Sequence, residues 1–508
     1  MNADKSCPNT QAQNKSPQND TITEKKAQAI RLIEYIECDV SLTFFRDQMS
    51  NHCVQLPIND HYEIWSIRSS EFKSWLYRLF RKKEGKGLSS EALTIAMRLI
   101  EAEMYLVEKQ LIFNRVAWKE HELWYDLTDK KWRAVKITAN YWSIVNNPSV
   151  LFKRYNHHKS QCEPIRHGDI RILLEFVNIR NKDQQLLLLV FLVSCFISDF
   201  PHPVLAIYGQ QGSAKSGLCR ILKKLIDPSF LETPHFPQDL PGFIQLLDHH
   251  WALFFDNIST LPHWMSDTLC KAVTGDGFTK RKLFTNDKDV IYAFMRCIGI
   301  NGINQVINKP DLLERSILIE LSRISEIERK PEKLIWEQFE KKKPAILGGI
   351  FNTLVETLRV VPKIRLQKHP RMADFAIWGC AIAQALGESQ EAFLSAYANN
   401  MNHQNEQILG DSLVATVLRR FIEQKVQWSG TPTELFNTLT NLAQNQGINT
   451  DKEKSWPKAA HILVRRLNEL KTNLTLDGIE IVTGIRGKQR IISVKKILGY
   501  SVESDVVS

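Results

Sequence analysis

No two of the nine cysteines stand in a C-x-x-C spacing. Cys7, Cys38, Cys53, Cys162, Cys195, Cys219, Cys270, Cys297 and Cys380 are scattered instead. That argues against a zinc ribbon or a disulfide framework and reads as reduced, mostly buried thiols. Long apolar runs are also scarce: LLLLVFLVSCFI, residues 186–197, falls short of the roughly 18 to 20 residues of a spanning helix and is expected to be a buried core helix. The first residues, MNADKSCPNTQAQNKSPQNDT, lack the apolar segment of a secretory leader, so 1–26 is expected to be a disordered tail and the chain cytoplasmic, with no membrane partner. The N-terminal part shows no clustered carboxylates or histidines of a metal-dependent primase centre. His157 and His158 are adjacent, a spacing that turns two side chains in different directions.

What is present is an ordinary globular composition, 43% apolar and 24% charged, over a length that suits two to four domains. Sixty-six Lys and Arg against 56 Asp and Glu leave +10, a field that favours polyanions. Apolar spacing of three to four predicts helices from about Ala27 to Lys109, and alternation predicts a small antiparallel sheet over 113–138. Together they form an α+β accessory domain, 27–165. The basic cluster Lys73, Arg78, Arg81, Lys82, Lys83 and Lys86 is read as a solvated helix face. From Pro203 the pattern is strand, loop, helix, repeated: PVLAIYG, WALFFD (251–256), MRCIGIN (295–301) and RSILIEL (315–321) are the near-continuous apolar runs of a parallel sheet covered on both faces. An α/β core over 166–330, a helical segment over 331–410 and a C-terminal helix, helix, hairpin order over 411–508 complete the expected organisation.

The first core strand runs into GQQGSAKS, 209–216, one residue short of the phosphate-loop motif G-x-x-x-x-G-K-[ST]. Backbone N–H groups of Gly209, Gly212, Ser213, Ala214, Lys215, Ser216 and Gly217 would surround phosphates at a helix start. Lys215 would reach the β- and γ-phosphates, and Ser216 would hold Mg2+. Ala214 replaces the second glycine, a change free of cost where φ is negative. Asp256 ends the second strand, where a carboxylate can hold the metal through water. Asn301 ends the third and would orient a water. Arg315 precedes the fourth, as a finger into a neighbouring subunit's site would. The set implies ATP and Mg2+. Asn257 stands where a general-base glutamate is common, and an amide can orient a water but not take its proton.

The stretch between Asp256 and Asn301, with TGDG at 274–277 followed by Lys280, Arg281 and Lys282, resembles superfamily-3 helicases, which are AAA+ P-loop ATPases of phages and plasmids. From about Phe44 onward the chain resembles bacterial ATP-binding proteins related to phage primase-helicases, which share a GEQGSAKS-like loop, an LDN-like acidic motif and PRMADFA, here 370–376. In that group Ala214 and Asn257 are the usual residues. The resemblance implies a homo-oligomeric ring, expected to be a hexamer, with single-stranded DNA in its channel. Lys280, Arg281 and Lys282 would meet phosphates there and Phe284 would stack on a base. Arg371 resembles the lid arginine that senses nucleotide.

The C-terminal order reads as a winged helix, with Lys458, Arg465, Arg466 and Lys471 on its second helix and Arg486, Lys488 and Arg490 on the wing, suited to duplex DNA. The implied function is an ATP-dependent, DNA-acting ATPase, a helicase or translocase in replication of a mobile element. The alternative is a nucleotide-gated DNA-binding regulator with slow or no hydrolysis.

Overall fold

The computed structural model describes residues 17–281, 289–293, 295–303, 307, 309–486 and 489–497. It divides into two compact units. The first is made of residues up to Arg115 with Thr128–Ala134 and Val145–Tyr155. It holds three helices, Pro17–Glu37, Ser70–Glu84 and Ser90–Glu103, and a three-stranded antiparallel meander, Thr43–Arg46, His52–Ile58 and His61–Ser66. The helix starts are set by Ser69 and Ser89, whose side chains accept from Phe72 N–H and Ala92 N–H. Two expectations are corrected here. The first helix begins at Pro17, inside the stretch assigned to a tail, because Ala29, Leu32 and Ile36 bury its inner face. The region from Ala27 to Lys109 is not all helical: Val54 and Leu56 alternate with half-exposed Gln55 and form the middle strand of the meander.

The second unit contains Val116–Leu127, Val135–Ile144 and everything from Asn156. The antiparallel sheet of Val116–Lys119, Glu122–Asp126, Ala134–Ile137 and Trp142–Val145 lies mostly in this unit and not in a separate accessory domain. Leu123, Tyr125, Val135 and Ile137 are buried in one core with Phe196 and Phe351, so burial, and not chain order, sets the boundary.

The central layer of this unit is a four-stranded parallel sheet. Helix α1 (Lys182–Ser194, buried from Leu187 onward) leads into strand β1 (Val204–Tyr208). Helix α2 (Lys215–Ile226), strand β2 (Ala252–Phe255), strand β3 (Cys297–Asn301) and strand β4 (Ser316–Glu320) follow. The order across the sheet is β2, β3, β1, β4, all parallel. β1 is thus central, and the C-terminal ends of β1, β2 and β3 lie side by side.

Three helices follow, α3 (Glu332–Val360), α4 (Ala373–Ala385) and α5 (Gln390–Asp411). Among the described residues, one helical stretch, Glu332–Lys363, has the length and composition of a membrane span, and 56% of its most apolar window is buried within the protein. Helix α5 closes the open edge of the sheet. Asn400 pairs with both the N–H and the C=O of Leu318 at 3.0 and 2.7 Å, and Gln404 donates to Ser316 O at 2.8 Å. A side-chain amide carries the same donor and acceptor as a peptide, so these residues take the place of a fifth strand.

The end of α2 is fixed to β2 by an ion pair in which Lys223 and Asp227 are both fully buried, 2.7 Å apart. Lys223 also donates to Ala252 O, and Asp227 accepts from Trp251 N–H. His250 beside them is neutral, its pKa pushed down to about 2 by burial and by the Lys223 charge. Lys223→Met should lower unfolding stability by about 3–5 kcal/mol, because it removes the cation that faces the buried Asp227 carboxylate. Denaturant unfolding checks this, and a loss under about 1 kcal/mol would mean that the pair contributes little.

After α5 the chain forms helix α6 (Leu413–Lys425), strand β5 (Gln427–Gly430), helices α7 (Pro432–Asn445) and α8 (Ala460–Glu469), and the hairpin β6 (Ile479–Arg486) and β7 (Gln489–Lys496). β7 lies between β5 and β6, antiparallel to both. Thr431 and Glu434 form a reciprocal capping box at the start of α7, and Leu418, Leu439, Leu463, Trp456 and Val494 share one core.

Candidate functional site

The glycine loop leaves the central strand through a turn that admits no side chain. Gly209 has φ 145°, and a Cβ there would lie 2.3 Å from Leu321 O. Gly212 has φ 82°, with the Arg329 guanidinium 3.1 Å from where its Cβ would be. Ala214 has φ 65° and ψ 29°, so the negative φ under which the alanine would be free of cost is not adopted. A methyl in the left-handed region costs about 1–2 kcal/mol. Ala214→Gly relieves that cost but loosens the unfolded chain by about 0.4–1 kcal/mol. A net stabilisation of roughly 0.5–1 kcal/mol is expected, read as a raised denaturant midpoint at unchanged slope. A lowered midpoint would count against strain at Ala214.

Helix α2 starts at Lys215 with no side chain capping it, as is also true of α3, α4 and α8. Its first-turn N–H groups therefore face outward at the positive end of the helix dipole. Lys215 Nζ folds back over the loop, donating to Gly209 O at 2.8 Å and Gln210 O at 3.0 Å. Burial lowers its pKa, and the nearby Asp256 opposes that shift.

Adjacent strand ends bring the next group together. Ser216 Oγ donates to Asp256 Oδ1 at 2.8 Å, and Asn301 Nδ2 donates to the same oxygen at 2.7 Å. Asn301 Oδ1 accepts from Asn257 N–H at 2.8 Å, and the residue is 1% exposed. The amide assigned from sequence to a water is thus engaged by protein on both sides: Asn301 orients Asp256 and the turn after it. Asn257 occupies that turn at φ 55°, a conformation asparagine tolerates better than most residues, with its side chain exposed. Ser216 and Asp256 offer a hydroxyl and a carboxylate oxygen side by side, the hard donors that suit Mg2+.

Arg315 lies at the other end of the sheet. Its carbonyl accepts from Val204 N–H at 2.8 Å, so it stands at the start of β1, a strand's length of five residues, or about 16 Å, from the loop. Its guanidinium pairs with Asp311 at 2.5 Å. Arg371 bonds Asp311 and Glu314, so it joins Arg315 and not the glycine loop of its own chain, where a lid sensor was expected. Burial raises the Asp311 pKa, but hydrogen bonds from Arg315 and Cys270 and the charges of Arg315 and Arg371 outweigh it and hold the carboxyl below its usual value.

Lys280 and Arg281 lie on a strand, Gly277–Arg281, paired antiparallel with Asp289–Ala293. This agrees with a hairpin between Asp256 and Asn301, while Lys282 and Phe284 lie outside the described residues. In the C-terminal part Lys458 precedes α8 and donates to the carbonyls of Thr450, Asp451 and Glu453. Arg466 bonds Ser455 O. These two basic residues organise the loop before the helix, whereas Arg465 is 72% exposed with Glu469 3.8 Å away. Arg486 ends β6, exposed Arg490 faces Ile485 across the hairpin, and Lys488 lies outside the described residues. Sequence reasoning missed Arg329, which lies in the charged run SRISEIERK with no motif to mark it, and the bond between Tyr208 Oη and His403 Nε2 at 3.0 Å.

Residues 170–407 match the family model of the actinomycete integrative conjugative element replication protein, and residues 414–501 match the model of the C-terminal domain of that replication protein, AICE RepA. No curated protein matches the chain. Among solved structures, the apo C-terminal region of NrS-1 is 12% identical, with a TM-score of 0.41, covering 93% of this chain and 99% of its own. A structure titled SCCmec type IV Cch, active helicase, is 9% identical, with a TM-score of 0.46, covering 90% of this chain and 93% of its own.

Proposed function

The chain belongs to the integrative conjugative element replication proteins that these two consecutive family models describe, and from that premise we propose that it is an ATP-dependent, DNA-acting AAA+ ATPase, a superfamily-3-like helicase or translocase. The observation that carries this reading is the meeting of Lys215, Ser216, Asp256 and Asn301 at an uncapped helix start. In it, 209–216 is a P-loop, the core spans 166–330, a helical lid 331–410 and a winged helix 411–508. The first-turn N–H groups of α2 hold the phosphates, and Lys215 moves from the loop carbonyls to the β- and γ-phosphate oxygens. Ser216 and Asp256 would hold Mg2+. The chemistry supplied by the bound ion is neutralisation of charge on the β- and γ-oxygens. Asn301 keeps Asp256 pointed at the site.

The distance of Arg315 from its own loop supports action across a subunit boundary, in a homo-oligomeric ring. Arg371, placed beside it, is assigned to the same boundary. DNA is the proposed partner: single strand along the hairpin carrying Lys280 and Arg281, duplex at Arg465, Arg490 and the wing. Asn257 favours a second reading, a nucleotide-gated DNA binder, because an amide after Asp256 cannot take a proton from water. Strand displacement from a forked duplex separates the two. Displacement with ATP and none with a non-hydrolysable analogue supports the motor. DNA binding with either nucleotide and displacement with neither supports the gate.

A further inference from the structure

The helix Ser70–Glu84 of the first unit presents a basic side that its own unit does not neutralise. Phe72, Leu76 and Phe80 are buried and fix the inner side of this 15-residue helix against the core. Ser69 caps its start, and Gly85, at φ 68°, ends it, so the outer side is a fixed surface about 22 Å long. Lys73, Arg78, Arg81 and Lys82 are exposed on the helix, and exposed Lys86 follows its end. Arg78, Arg81, Lys82 and Lys86 make no ion pair or side-chain hydrogen bond among the described residues. Other cations of the same unit do: Lys25 lies 2.5 Å from Glu91, Arg31 3.3 Å from Glu84 and Arg68 2.7 Å from Glu101. The two carboxylates of the helix are engaged elsewhere. Glu71, in the first turn, accepts from Ser70 Oγ at 3.1 Å, and Glu84 accepts from Tyr35 Oη at 2.5 Å.

We propose that this face is a docking surface for the phosphate backbone of duplex DNA, separate from the hairpin of Lys280 and Arg281 and from the C-terminal wing. Helix-end electrostatics accounts for part of the charge, since Arg81, Lys82 and Lys83 lie in the last turn, where cations complement the dipole. That effect fades beyond one turn, so Lys73 and Arg78 draw nothing from it. Lys83 lies over the Tyr35 ring, 5.8 Å from its centre, and is left out of the face. Duplex DNA carries one negative charge per about 1.7 Å of axis, the complement of a run of unpaired cations. A single strand is held instead in a groove with successive aromatic platforms. This face is the convex side of a helix whose only exposed ring is Tyr77, Trp75 being stacked on Phe72 at 5.9 Å. The proposal shares DNA with the reading above and draws nothing from the ATP site.

The test compares two variants of the full chain that remove the same charge: Arg78→Gln with Arg81→Gln and Lys82→Gln on the face, and Lys25→Gln with Arg31→Gln and Arg68→Gln among the paired cations. Glutamine keeps helix propensity, and denaturant unfolding checks that the midpoints agree. Equilibrium binding of a labelled duplex and of a single strand is measured without nucleotide over a salt series. The face variant is expected to lose about tenfold or more in duplex affinity and to lower the slope of log K against log salt by about 2 to 3. The paired-cation variant is expected to stay within about threefold of wild type. If the face variant unfolds early, Arg78→Gln alone should still lower the slope by about 0.9. Duplex affinity within twofold of wild type at unchanged slope would overturn the face, as would equal losses in the two triple variants, which would trace to net charge. A loss for single strand alone would overturn the choice of duplex. Absence of duplex binding by the wild-type chain would overturn this face and the duplex contact of the wing together.

Discussion

Lys215→Ala should reduce ATP turnover by at least about a hundredfold, the scale on which a single preorganised charge at a reacting phosphate acts. Lys215 bonds atoms of its own loop, the carbonyls of Gly209 and Gln210 and the Ser213 hydroxyl, so it can exchange them for phosphate oxygens without breaking a contact between elements of the fold. Alanine is the best helix former at the position it vacates, and the unfolding midpoint should barely move. The combination of lost turnover and kept stability is what marks a chemical role. Steady-state hydrolysis and denaturant unfolding on the same preparation read both. Turnover within threefold of wild type would show that the phosphates do not sit on this loop.

Arg315→Ala should lower turnover by roughly a thousandfold, the lower end of what an arginine finger supplies, with ATP affinity nearly unchanged. The substitution does not leave Asp311 without a cation, because Arg371 also bonds it, so the loss cannot be ascribed to an orphaned carboxylate. The geometry adds a sharper outcome. Arg315 lies a strand's length from its own loop, and the role proposed for it is at a neighbouring subunit's nucleotide. Mixing Arg315→Ala with Lys215→Ala protein should therefore restore part of the activity, since some interfaces then pair an intact loop with an intact arginine. No restoration would place the role of Arg315 within its own chain.

Much of the core is legible in the sequence because its strands are near-continuous apolar runs, the pattern of a sheet covered on both faces, and because the candidate residues Asp256, Asn301 and Arg315 sit at the ends of those runs. The loop is equally legible from Gly209, Lys215 and Ser216. Conformation and pairing are not. The sign of φ at Ala214 depends on how the whole turn is threaded, and the Asn301 amide finds its partners only when β2 and β3 become neighbours. Sequence alone does not place Arg371, because a helix start gives no information on which carboxylates, Asp311 and Glu314, lie opposite. The N-terminal meander escapes the same reading since its strands are half-exposed, with Tyr62 and Glu63 breaking the alternation that Val54 and Leu56 carry.

The central claim is that nucleotide bound at Lys215 and Asp256 is hydrolysed in a cycle coupled to DNA. ATP hydrolysis by the wild-type chain, measured with no DNA, with single-stranded DNA and with duplex, tests it most directly. The account predicts slow turnover alone and a clear rise with single-stranded DNA that disappears in Lys215→Ala. ATP bound at full occupancy with no turnover on any DNA would contradict it and leave the gate.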